Sequence, residues 1–160
     1  MQIQSERLPH IDEHSLVVEA DPEIAWEAVL KVAEGSFGSP ATGRIAALLG
    51  CADSAASGPR PLAMGSALPG FHVEVAERPG ELALVGGHRF SDYALIFRLD
   101  EQHGQRTLIR AETRAVFPGL KGSVYRAMVI GTRGHVLVTR RLLAAMKRRA
   151  ERTSKAGKTT

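Results

Sequence analysis

Val116 to Met146 reads VFPGLKGSVYRAMVIGTRGHVLVTRRLLAAM, and the fold turns on where its apolar residues fall. The stretch begins as the end of a strand, turns at Pro118-Gly119, and takes on helical spacing. At 100° per residue, Val124, Met128, Thr132, His135, Thr139, Leu142 and Met146 share one stripe, widened by Tyr125, Val136 and Leu143. Arg126, Arg133, Arg141 and Arg148 occupy the opposite side. A helix of this length following a strand buries such a stripe by lying across the dry face of a sheet. Ile130 and Leu137 then fall on its outer side.

The preceding sequence supplies that sheet. From Gly70 to Phe117 the period changes to two, giving FHVEVAE, a Pro79-Gly80 turn, ELALVGGHRF, DYALIFRL, a loop at Gly104, and RTLIRAETRAVF. In the last of these, Arg110, Glu112 and Arg114 share a wet face, while Ile109, Ala111, Thr113, Ala115 and Phe117 share a dry one. Tyr93, Leu95, Phe97 and Leu99 fall together on the strand before it, and Leu82, Leu84, Gly86, His88 and Phe90 on the one before that. Gly86-Gly87 predicts a bulge or strong bend. Upstream, HSLVVEA reads as a short strand, Asp21-Pro22 caps a helix over PEIAWEAVLKVAEG, and TGRIAALLG forms a second short helix stopped by glycine. Residues 52–70, rich in Ala, Ser, Gly and Pro, read as a long connection.

The chain of 160 residues, 44% of them hydrophobic, is long enough for one closed core. The domain reading is an N-terminal segment at 1–14, a single domain at 15–150, and a basic disordered tail at 151–160. No apolar run is long enough to span a bilayer, and MQIQSERLPHIDEH lacks the basic start and apolar stretch of a secretory signal, so the expected location is cytoplasmic and no membrane partner is expected. The net charge of +4 is concentrated at the C-terminus, where from Arg140 onward Glu151 is the single acid among eight basic residues. With aromatic residues at 5% and none beyond Tyr125, the pattern reads as a solvated helix end and not as a nucleic-acid surface. Cys51, the only cysteine, has neither a disulfide partner nor a zinc-ligand pattern around it.

The opening VVEADPEIAWEAVL and the closing AETRAVFPGLKGSVYRAMVIGTRGHVLVTRRLL together resemble the START-like, or helix-grip, superfamily (the SRPBCC group), over residues 15 to 150. The closing segment is also similar to a bacterial family of unknown function whose helix places a histidine at the same point. The resemblance implies an α+β fold, with a curved antiparallel sheet wrapped around a long C-terminal helix and two short helices after the first strand. It further implies a cavity between sheet and helix that holds apolar small molecules, in carriers, sensors or sequestering proteins, or in polyketide cyclase/dehydrase-like or hydrolase enzymes that use no cofactor.

The residues support a cavity on their own. Ala111, Thr113 and Ala115 on the final strand face Gly131, Thr132 and Thr139 on the helix, and small residues facing small ones leave room. The expected ligand contacts are Phe90, Tyr93, Phe97, Thr113, Phe117, Met128, Thr132, His135, Thr139 and Leu142, an apolar set with few polar groups. Periodicity does not separate this from a packed core in which the threonines bond backbone carbonyls. His135 is the first candidate for a ligand contact or an acid/base, with His88 as a possible second. His10, Asp12 and His14 alternate along an extended segment with atoms suited to zinc or iron, yet they precede the first strand and read as surface, so no metal is expected. G-x-S-x-G, H-E-x-x-H, P-loop and G-x-G-x-x-G motifs are absent. The expected partner is an apolar small molecule, bound by a monomer or weak homodimer; a protein-interaction module with a filled core, using Ile130, Leu137 and the tail, is the third reading.

Overall fold

A computed structural model describes residues 3–159. The elements run α1 (Gln4–Arg7), β1 (His10–Val18), α2 (Pro22–Phe37), α3 (Pro40–Leu49), β2 (Ala67–Leu68), β3 (Phe71–Glu77), β4 (Glu81–His88), β5 (Ser91–Gln102), β6 (Arg106–Val116), α4 (Gly119–Val129) and α5 (Gly134–Lys158). The six strands form one antiparallel sheet, ordered β1-β6-β5-β4-β3-β2, so the first two strands lie at opposite edges and the last strand pairs with the first. The sheet curves without closing, and α5 lies in its hollow against α2 and β1.

The local signals explain the helices. Asp21 accepts a hydrogen bond from the Ile24 amide ahead of Pro22, and Ser39 does the same for Thr42 ahead of Pro40. Gly50 ends α3 in the left-handed conformation at φ 76°. The concave core then assembles from Leu82 and Leu84 of β4, Leu95 and Phe97 of β5, Ile109 and Ala111 of β6, Ala25, Val29 and Ala33 of α2, and Leu142, Leu143 and Met146 of α5. Trp26 is part of it.

Five expectations need correction. The long helix is interrupted: α4 ends at Val129, and the chain re-enters α5 through Arg133 at φ 55°. Gly131 and Gly134 bracket the break, and the Thr132 hydroxyl donates to the Met128 carbonyl, competing with the helical ladder. Second, α5 continues to Lys158 through the segment expected to fray, because Ala150 and Ser154 are buried and Lys147 pairs with Glu151 at 2.8 Å. Third, Gly86-Gly87 forms no bulge. Gly86 pairs in regular register with Tyr93, and the irregularities lie instead between Val73 and Val75 and between His10 and Asp12. Fourth, the N-terminal boundary shifts, since β1 begins at His10 and not at His14.

The fifth correction is that the outer face of the sheet is not wholly wet. Ile3 and Leu8 cover a second apolar cluster of Val75, Ala83, Val85, Ala94 and Ile96. The segment is latched by Glu74, which accepts from the Ser5 amide at 2.9 Å, and by Arg114, which donates to the Glu6 carbonyl at 3.0 Å. Beside this latch Glu112 is buried and accepts from His10, Arg98 and Arg114. Burial alone would raise its carboxyl, but the three hydrogen bonds outweigh burial and hold it down at about 2. A depressed carboxylate stabilises the fold above its unfolded value and loses that contribution as the proton returns. Stability is therefore expected to fall by up to about 3 kcal/mol between roughly pH 4.5 and pH 2. Urea midpoints measured across that range check it, and Glu112→Gln should flatten the fall.

Candidate ligand cavity

The hollow between sheet and helices encloses a cavity of about 520 Å³. One wall comes from β6 and β5, whose alternation presents Thr113, Ala115 and Phe117 beside Ser91, Tyr93 and Leu95. The opposite wall comes from Tyr125, Met128 and Val129 of α4, Thr132 in the break, and His135, Val138 and Thr139 of α5. Phe37, Leu49 and Phe71 close one end. At 520 Å³ with mostly apolar walls, it falls in the range of small-molecule sites.

Of the residues expected here, Tyr93, Thr113, Phe117, Met128, Thr132, His135, Thr139 and His88 line the cavity. Phe90 does not; it lines an adjoining recess of about 380 Å³ with Leu120, Lys121, Val124, Tyr125 and Met128. Phe97 and Leu142 are sealed in the core below. Ile130, expected on the outer side, lines the cavity because the helix break resets the phase, whereas Leu137 remains outside. Both threonines bond backbone carbonyls, Thr132 to Met128 at 2.6 Å and Thr139 to His135 at 2.8 Å, yet the space beside them stays open.

His135 and His88 both face the cavity but do not pair with each other. His135 Nε2 lies 2.8 Å from Asp12 Oδ2, and His14 Nε2 lies 3.2 Å from the same oxygen. An ionised carboxylate only accepts, so both imidazoles carry their proton on Nε2. His135 Nδ1 and Asp12 Oδ1 are buried without a hydrogen-bond partner among the described residues. The sequence reading put His10, Asp12 and His14 on one side; the irregularity between His10 and Asp12 turns His10 outward to Glu112, while Asp12 and His14 face inward opposite Thr113 and Ala111. No cluster of three metal-ligating side chains occurs among the described residues.

The second polar arm is aromatic. His88 Nδ1 accepts from the Phe90 amide at 3.1 Å, so its Nε2 carries the proton and donates to the Tyr125 hydroxyl at 3.2 Å. Burial lowers the His88 pKa, and the Asp92 charge opposes this only in part, which favours the neutral ring. Tyr125 is left with its own hydrogen to donate. Tyr93 spends its hydrogen on the Gly70 carbonyl at 2.7 Å, and burial raises both tyrosine hydroxyls, so both stay protonated. The rings pack edge-on, His88 to Tyr125 at 4.9 Å and Phe71 to Tyr93 at 5.2 Å.

Tyr125, Ser91 and Asp12 are polar residues of the site that sequence reasoning did not place there. Tyr125 was visible at the edge of the helical stripe, and Asp12 in the alternation of HIDEH.

No protein-family model matches the chain, and no curated protein does. Solved structures do. The chain is similar to the aromatase/cyclase Zhui from Streptomyces sp. R1128, with TM-score 0.58 and 14% identity over 91% of this chain and 95% of that one. It is also similar to CalU16 from Micromonospora echinospora, with TM-score 0.51 and 15% identity over 90% and 85% of the two chains. Protein MLL2253 from Mesorhizobium loti gives TM-score 0.50 and 12% identity over 89% and 98%. The likeness is one of fold: a curved antiparallel sheet around a long C-terminal helix, the helix-grip arrangement. Among the described residues no helix is long and apolar enough to cross a membrane.

Proposed function

We propose that this protein binds a hydrophobic or amphipathic small molecule in the cavity between its sheet and its last two helices, as a carrier, sensor or sequestering protein. The observation that carries the reading is the open volume of about 520 Å³ beside Thr113, Ala115 and Thr139, where a packed core would have closed. Its walls are apolar, with Tyr125 and His135 as the polar groups that could orient a ligand. The open volume also weighs against an interaction module with a filled core.

Native mass spectrometry of the purified protein, beside its denatured mass and an organic extract, is the direct test. A retained apolar compound is the expected result. A clean apo mass, with no thermal stabilisation by any of a panel of apolar ligands, would sink the proposal. A cavity-filling variant sharpens it: Ala115→Trp should leave the unfolding free energy from urea denaturation within about 1 kcal/mol of the parent, because there is room, and weaken ligand binding at least tenfold. Overpacking losses of several kcal/mol would mean the space is not there.

A second reading is favoured by the Asp12 and His135 pair: an enzyme of the cyclase/dehydrase kind, in which an imidazole oriented by a carboxylate moves a proton of the substrate. The similarity to an aromatase/cyclase is in accord with it. His135→Gln separates the two readings, since it should spare binding in a carrier and abolish turnover in an enzyme.

A further inference from the structure

The outer face of α4 is as apolar as its inner one. Leu120 and Val124 are 84% and 65% exposed, and with Phe90, Lys121 and Met128, which is 59% exposed and stands between the two spaces, they line the recess that adjoins the cavity. At the same end of the sheet, the Arg89 amide donates to the Leu49 carbonyl. Through that bond the β4-β5 turn holds the end of α3, whose Leu48 and Ile45 are 77% and 59% exposed. A soluble surface scatters such side chains singly; a row beside a cavity mouth marks a contact.

Charge decides which contact. From Phe117 to Ala150 the chain contains no acidic residue, while Lys121, Arg126, Arg133, Arg140 and Arg141 punctuate it. Of the carboxylates toward this end, Asp12 is paired with His135 at 2.8 Å and Asp53 with His72 at 3.2 Å, and Asp92 lies beside His88. Two copies would bring like charges together. An apolar helix face flanked by cations and free of acids complements an anionic lipid surface, with the side chains entering the acyl boundary and the cations meeting headgroups. We propose that α4 and its basic flanks dock this protein reversibly on an anionic membrane, with the cavity mouth turned toward the lipid. The absence of a spanning segment, which underlay the expectation of no membrane partner, does not bear on a surface of this kind, and the proposal holds whatever the cavity contains.

Vesicle co-sedimentation of the full chain tests it. The protein should partition onto equimolar phosphatidylglycerol and phosphatidylcholine vesicles, stay off pure phosphatidylcholine, and be released by salt. Leu120→Asp with Val124→Asp should lower partitioning by more than about tenfold. Lys121→Glu and Arg126→Glu should lower it by about fivefold each, an independent check that leaves the apolar row intact. Unchanged urea midpoints would show these exposed substitutions to be local. No binding to the anionic vesicles at low ionic strength, or binding that both sets of variants leave intact, would overturn the proposal. So would a dimer in sedimentation equilibrium that the double aspartate variant dissolves, since the face would then belong to a second copy.

Discussion

Gly86→Ala should cost about 4 kcal/mol, combining overpacking with a lost hydrogen bond, enough to leave little folded protein in a domain of ordinary stability. A Cβ there would lie 2.0 Å from the Gly70 carbonyl oxygen and 2.7 Å from the Tyr93 ring. Neither neighbour can retreat. Gly70 is held by its amide's bond to the Asp53 carbonyl and by the Tyr93 hydroxyl on its own carbonyl at 2.7 Å, and its φ of 86° confines the position to glycine. Tyr93 is in turn packed against Phe71 and His88. The adjacent Gly87→Ala is the control, because the atom its Cβ would meet is the Asp92 carboxylate, the end of an exposed side chain that can swing away. Its cost should stay below about 1 kcal/mol. Urea denaturation of the two variants checks the contrast, and equal midpoints would show that the Gly70 carbonyl is not the constraint.

That glycine also shows what the sequence could and could not reveal. A Gly-Gly pair inside a strand has two physical causes, a bulge or a close approach of another backbone, and both leave the same letters. Only the register of β4 on β5 separates them. The alternation of β6, with its charged outer positions, was clear, and β5 follows it although its outer Ala94 and Ile96 are buried too; from the two strands the inward positions Tyr93, Thr113, Ala115 and Phe117 follow directly. The helix stripe was less secure. Periodicity counts residues and does not detect a break, so Ile130 fell on the wrong side once Gly131, Thr132 and Gly134 reset the phase. Phe97 and Leu142 were read at the right face but at the wrong depth, since facing inward does not distinguish a cavity wall from the floor beneath it.

The polar part of the site was legible only as fragments. His135 stood out as an imidazole on an apolar stripe, and His10, Asp12 and His14 as an alternation. Their connection depends on an antiparallel pairing of β1 with β6 across most of the chain and on an irregularity that turns His10 away. No local signal carries a contact separated by 123 positions in sequence.

Asp12→Ala should therefore be the most damaging polar substitution at the cavity. It leaves His14 and His135 each with an Nε2 proton and no acceptor, and an unpaired buried donor costs more than a hydrogen bond returns. The expected loss is about 3 kcal/mol, with Asp12→Asn nearer to about 1 because the amide oxygen still accepts. The pairing has its own signature: in the double variant with His135→Leu the donor is gone together with its acceptor, so part of the loss should be recovered. A double-mutant cycle should give a coupling of about 1.5 kcal/mol or more between the two sites, and strict additivity would mean that the 2.8 Å contact contributes nothing. The same variants bear on function. In a carrier, Asp12→Asn should change ligand affinity only as far as it changes stability. In an enzyme it should depress turnover while affinity holds, because the carboxylate keeps His135 in the tautomer whose Nδ1 is free to take a proton. That nitrogen is buried and unpartnered in the empty protein, so turnover requires the ring or its wall to move when a substrate enters.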